Sequence, residues 1–177
     1  MEFEKVLAFR QSTRSFTEEK VSEKELTMIM NVASRAPIGM HNYQGYSLMT
    51  ITNEAVLNAM IFSYQKLTGT DKNPLYKAPA FILLCANEHS IERLVQQDAG
   101  AIISFMNLKA SELGLGSVYI FGMIHTILAD DSWKKLANIS SGYVPIAVPI
   151  AGLAVGHSKN PIRERPWVSY LTTSFIK

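Results

Sequence analysis

The sequence predicts an α+β domain built on a mixed β-sheet flanked by helices, and three observations lead there. Helical and strand patterns alternate along the chain without a clean βαβ repeat. The run Ala80 to Ala86, AFILLCA, is too uniformly apolar to have a solvated face, which sets it centrally in a sheet. From Gln97 to Leu113 the spacing predicts a helix with apolar residues on more than one face, which must be covered on nearly all sides. In a chain of 177 residues that cover comes from a second subunit or from deep burial within one chain.

The elements follow in order. Phe3, Val6, Leu7 and Arg10 stand at helical spacing, so a first helix buries one face and delivers Arg10 near its C-terminal end. Ser22-Glu-Lys-Glu25 is a capping box that opens a second helix, whose stripe is Leu26, Ile29, Met30 and Ala33 and whose stop is Pro37. Tyr46 to Ile51 reads as a strand, Asn53 caps a helix to about Leu67, and Gly69 to Pro74 is rich in turn residues. After the long helix, Gly114 is placed for a left-handed cap and Ser117 to Phe121 forms a strand. Asp130 or Asp131 caps a helix carrying Trp133, Leu136 and Ala137. Val144 to Val155 supplies the last strand, its prolines favouring a start or an edge. The tail from about residue 157 is polar apart from Trp167, and one domain covers 1–177.

A hydrophobic fraction of 47% is enough for a substantial core. The formal charge of +2 is small and scattered, so nucleic acid is not an expected partner. Cys85 is the only cysteine, which excludes an intrachain disulfide and fits a reducing, cytoplasmic setting; inside an apolar strand it reads as a small buried hydrophobe. MEFEKVLAFR is charged throughout, so no signal peptide is expected, and no apolar run reaches the roughly 18 residues of a membrane span.

Arg10, Ser12 and Arg14 alternate just after the first helix. Two guanidinium forks with a hydroxyl between them suit a phosphate, although the same pattern also describes a solvated edge. Neither G-x-G-x-x-G nor a Walker loop is present, because Gly114-Leu-Gly116 lacks its third glycine, so any phosphate must be held by side chains. His41, His89, His125 and His157 are too widely spaced for a metal site, and there is no nucleophile elbow.

Taken together, Arg10-Gln-Ser12-Thr-Arg14-Ser-Phe16, the loop Ala36-Pro37-Ile38-Gly39-Met40-His41-Asn42-Tyr43-Gln44, Asp98-Ala-Gly100-Ala and Leu113-Gly114-Leu115-Gly116-Ser117 resemble the nitroreductase family of FMN-dependent oxidoreductases, from Arg10 to about Gly156. The resemblance implies a three-layer α/β/α homodimer with FMN at the subunit interface. It assigns Arg10, Ser12 and Arg14 to the phosphate, ribityl chain and pyrimidine end, where positive charge favours the reduced cofactor. Pro37, Ile38, Gly39, Asn42 and Gln44 then form a loop that reaches the flavin of the other subunit. Ile38 and Gly39 stand where serine is common, and Gly45-Tyr46 replaces the frequent Pro-Trp. Tyr119, Ile120, Phe121 and Gly122 would lie on one flavin face, with backbone amides donating to its reactive nitrogen. Phe121 stands where many relatives carry a polar residue. Lys159, Arg163 and Arg165 offer a further phosphate contact, and Arg163 and Arg165 share a face if the tail is extended; a solvated tail is the alternative.

A flavin would also account for a chain with no evident general base, since the cofactor carries the hydride chemistry. The expected activity is hydride transfer from NADH or NADPH to a small flat acceptor, a nitroaromatic or a quinone, in a ping-pong cycle. The alternative is a protein of the same fold that binds flavin as a sensor or store without turnover.

Overall fold

The computed structural model describes residues 1–130, 132–137, 148–166 and 171–176. Helix α1 (Phe3–Phe9) is short and ends where Arg10 turns extended. Helix α2 (Glu23–Asn31) has the full capping box: Ser22 accepts from the Glu25 amide, and the Glu25 carboxylate accepts from the Ser22 amide at 2.9 Å. The Ser22 hydroxyl, which donates to the Glu25 carboxylate at 2.6 Å, and then the Ser22 amide hold that carboxyl below its ordinary pKa. Rather than running to Pro37, α2 tightens into a 3-10 turn over Val32–Arg35.

Strand β1 (Tyr46–Ile51) and strand β2 (Ala80–Ala86) fall where the patterns put them. Between them lies helix α3 (Glu54–Thr68), capped by Asn53 and closed by Gly69 in the left-handed region. Helix α4 (Val95–Glu112) ends in a Schellman cap: the Gly114 amide donates to Ser111 and the Leu115 amide to Ala110, with Gly114 at φ 77°. Strand β3 (Gly116–Ile120) follows at once, then helix α5 (Ile124–Ala129), which the periodicity did not reveal, and helix α6 (Ser132–Leu136). The Asp130 carboxylate accepts from the Ser132 amide at 2.9 Å, as a cap should; Asp131 lies outside the described residues. Strand β4 (Val148–Gly156) completes the set, and the expected start at Val144 also falls outside them.

The four strands are ordered β1-β2-β4-β3, and every neighbouring pair is antiparallel. The expected mixed sheet is therefore corrected: among the described residues, the only parallel contact is an isolated bridge from Ser12 to Ser117. Strand patterns report burial, and relative direction leaves no mark in them. Pro149 pairs with Cys85 in a stretch of β4 that β3 does not reach among the described residues, since β3 stops pairing at Gly152, and Ile150 beside it is skipped at the register shift between Leu84 and Cys85.

Alternation along β2 divides the core. Ala80, Ile82 and Leu84 join one cluster with residues of α2 and α4, while Phe81, Leu83 and Cys85 join another with residues of α3, α5 and α6. Burial pushes the Cys85 thiol up to about 12, the property of a packing residue rather than a nucleophile. Helix α4 buries Ala99, Ile102, Ile103, Met106 and Ala110 against its own chain; Ala101, Phe105 and Leu108 stay half-exposed, and Ser104 is exposed. The chain thus covers more of α4 than its composition suggested, and only a stripe stays uncovered.

Candidate functional site

The segment after α1 is fixed by the strand it crosses. The Thr13 amide donates to the Ser117 carbonyl at 2.9 Å, and Phe16, fully buried, bridges Ser158. Strand alternation turns Thr13 inward and leaves Ser12 and Arg14 exposed, with Arg10 half-buried. Gly116 makes this possible, because a Cβ there would lie 2.7 Å from Thr13 Oγ1 and 2.9 Å from Thr13 Cβ. Thr13 Oγ1 itself is buried with no hydrogen-bond partner among the described residues.

The tail runs beside the same segment. Thr17 donates from its amide to the His157 carbonyl at 2.8 Å, Lys159 to Ser15 at 3.0 Å, and Arg165 to Ala8 at 3.0 Å. Backbone pairing thus ties down the part of the tail that carries Lys159, Arg163 and Arg165, and sets it alongside Arg10 to Arg14. Among the described residues, none of these five cationic side chains has a hydrogen-bonding or ion-pair partner. Arg14 alone meets an aromatic, its guanidinium carbon 6.0 Å from the Tyr76 ring centroid. Unneutralised forks with a hydroxyl between them form a donor set for an anion with several oxygens.

Tyr119, Phe121 and Gly122 continue along the same sheet edge, all exposed, while Ile120 turns into the core. Burial raises the Tyr119 hydroxyl above its ordinary pKa, so it is a neutral donor at physiological pH. Phe121 is 47% exposed and stands edge-on to His125, centroids 5.9 Å apart. Past Ser117 the outer side of β3 is unpaired among the described residues.

The loop over residues 37–44 lies elsewhere. It leads into β1 at Tyr46, opposite Ala86, whereas Arg10 to Arg14 lie at the other edge and other end of the sheet, by Gly116 and Gly156. Three strand spacings across and about six residues along put the two roughly 25 Å apart within one chain. Asp98, 5% exposed in the first turn of α4, accepts from the Gly39 amide at 2.9 Å and from the Tyr46 hydroxyl at 2.8 Å. Burial first, then the Asp98 hydrogen bond, raises the Tyr46 pKa. Ile38 is a core residue, and a Cβ at Gly39 would meet the movable tip of the half-buried Leu94 side chain. Pro37 and Gln44 are exposed, and Asn42 donates to the His89 carbonyl at 2.6 Å.

Tyr76 and the anchoring role of Asp98 escaped the sequence reading. Asn73-Pro74 signalled a turn near Tyr76, but no pattern marks which ring meets which guanidinium. Among the described residues no group of three or more His, Cys, Asp or Glu could hold a metal ion, and no helix is long and apolar enough to cross a membrane.

A family model described as the nitroreductase family matches residues 7–157. Among solved structures, a nitroreductase with bound FMN from Desulfitobacterium hafniense DCB-2 superposes with a TM-score of 0.80 at 19% identity, covering 100% of this chain and 99% of that one. A nitroreductase with bound FMN from Bacteroides fragilis NCTC 9343 gives 0.80 at 18% identity over 100% of both chains. An FMN-dependent nitroreductase from Clostridium difficile R20291 gives 0.73 at 18% identity, covering 98% of this chain and 99% of that one. A search of curated proteins finds no match.

Proposed function

Because the chain belongs to the nitroreductase family, we propose that it is an FMN-dependent oxidoreductase that passes hydride from NADH or NADPH to a small flat electrophile, a nitroaromatic or a quinone, in a ping-pong cycle. The observation that carries this reading is the uncommitted donor set of Arg10, Ser12 and Arg14, with Lys159, Arg163 and Arg165 tied alongside by the tail. FMN fits these residues: one terminal phosphate needs one cluster of charged donors, and a second nucleotide half would need a fingerprint this chain lacks.

Arg10 and the tail arginines would hold the phosphate, Ser12 the ribityl chain, and Arg14 the pyrimidine end. When bound, FMN supplies the hydride chemistry, which no side chain here can provide. The chain's own part is to bind, orient and tune. Arg14 keeps a positive charge where reduction adds negative charge. The backbone N–H groups around Phe121 and Gly122, unpaired among the described residues, are free to donate to the cofactor's edge, and the exposed Phe121 ring offers a flat wall that keeps water from one face.

The same placement supports a homodimer with α/β/α layering. Asn42 and Gln44 lie too far from Arg14 to serve the same flavin in one chain, and they would instead complete the partner's site. Phe121 also favours the second reading, flavin binding without turnover, since an aromatic on that face could close it to acceptors. Mass spectrometry of heat-released cofactor, followed by steady-state NADH and NADPH oxidation with a quinone, tests both. FMN with turnover is expected; FMN without turnover selects the second reading, and FAD or no flavin overturns both.

A further inference from the structure

Tyr76 stands in the left-handed region at φ 55°, followed by Lys77 at φ 64°. Two consecutive non-glycine residues in that conformation are held there against their own preference, and such strain persists only where the surroundings over-determine it. Here they do. The Asn73 side chain accepts from the Leu75 amide at 2.9 Å, the Tyr76 amide donates to the Asn73 carbonyl at 3.1 Å, and the Ala78 amide donates to Leu75 at 2.9 Å. Leu75 is fully buried in the same core cluster as Phe16.

Those two anchors bear directly on the contact between Tyr76 and Arg14. Phe16 fixes the chain two residues after Arg14, and Leu75 fixes it one residue before Tyr76. The strained backbone then sets the tyrosine ring under the guanidinium, 6.0 Å from ring centroid to guanidinium carbon. No carboxylate or carbonyl competes for Arg14 among the described residues, so the ring is what orients an otherwise free and exposed fork. A ring face steers a cation without neutralising it, as a carboxylate would.

We propose that Tyr76 is a positioning residue for the cofactor: its ring, fixed by a strained turn, holds the Arg14 guanidinium ready for the anionic end of the flavin. This rests on the FMN reading above. The experiment compares wild type with Tyr76→Phe and Tyr76→Leu, alone and combined with Arg14→Ala, by titrating apoprotein with FMN and by measuring the flavin midpoint potential. Tyr76→Phe keeps the ring and should stay within about twofold of wild type. Tyr76→Leu should weaken FMN binding roughly three- to fivefold, the worth of an exposed cation–π contact, and should lower the potential. In the Arg14→Ala background that effect should vanish, because Tyr76 acts through Arg14.

Wild-type affinity and potential in Tyr76→Leu would overturn the proposal while leaving the FMN reading intact. So would an undiminished loss in the Arg14→Ala background, or a Tyr76→Phe variant as weak as Tyr76→Leu. A wild-type protein that takes up no FMN would instead overturn the functional reading, and this one with it.

Discussion

The Tyr46 hydroxyl donates to Asp98 Oδ2 at 2.8 Å, tying the first residue of β1 to the first turn of α4. The other carboxylate oxygen takes the Gly39 amide, so one buried side chain closes the loop of residues 39–46 at both ends. Hydrogen bonds to a charged group contribute about 1.5–3 kcal/mol each, so Asp98→Ala should cost about 3 kcal/mol or more and Tyr46→Phe about half of that. Urea unfolding of the two single variants and the double variant gives the coupling between them. Additive losses would show that the two side chains act independently.

Gly116→Ala should act at a distance from the residue it alters. The added methyl meets Thr13 at under 3 Å, including its Cβ, so the backbone carrying Ser12 and Arg14 has to shift. Overpacking of this kind costs about 1–3 kcal/mol of stability. Flavin content after purification should fall as well, and Thr13→Ala in the same chain should restore part of it.

Arg10→Ala and Arg14→Ala should each weaken FMN binding by about 1.5–3 kcal/mol. Only Arg14→Ala should also lower the flavin potential, since its charge meets the end of the ring that becomes negative on reduction. Fluorescence titration and dye-linked redox titration separate the two arginines. A double variant with wild-type flavin content and potential would mean that the segment is a solvated edge.

Alkali should destabilise the protein through Cys85 and Tyr46. Both acids have raised pKa values in the folded state, chiefly from burial, so the unfolded chain loses these protons first. Above the ordinary thiol value, near 9, the folded state therefore binds more protons than the unfolded one, and stability falls as pH rises. Melting temperatures from pH 7 to 11 should decline on this limb, and Cys85→Ala should flatten it. Native protein at pH 8 should resist iodoacetamide, while urea-unfolded protein reacts.

Sedimentation at low micromolar concentration should find a dimer, with an interface above about 2,000 Å² in total. Its own chain covers most of α4, so a shared site follows instead from the separation of Asn42 and Gln44 from Arg14. A flavin-loaded, active monomer would refute a shared site.

What could be read from the sequence was whatever leaves a local mark. The capping box at Ser22, the strand bounds of β1 and β2, and the left-handed cap at Gly114 all depend on a few adjacent residues, and the structure reproduces them. Strand direction, the cover over α4 and the stacking of Tyr76 on Arg14 arise between distant segments. Six-residue α5 is too short for its period to stand out. Ile38 and Gly39 stand where the family commonly has serine; in space Ile38 is core and Gly39 faces the tip of Leu94, a placement no local pattern marks.

The open outer side of β3 has a consequence for the protein's life in the cell. A strand edge whose amides past Ser117 are unpaired among the described residues is a template for another extended chain, and β3 carries neither proline nor charge to discourage that. If flavin binds along this edge, it also shields it. Protein without its cofactor would then be more prone to self-association than loaded protein.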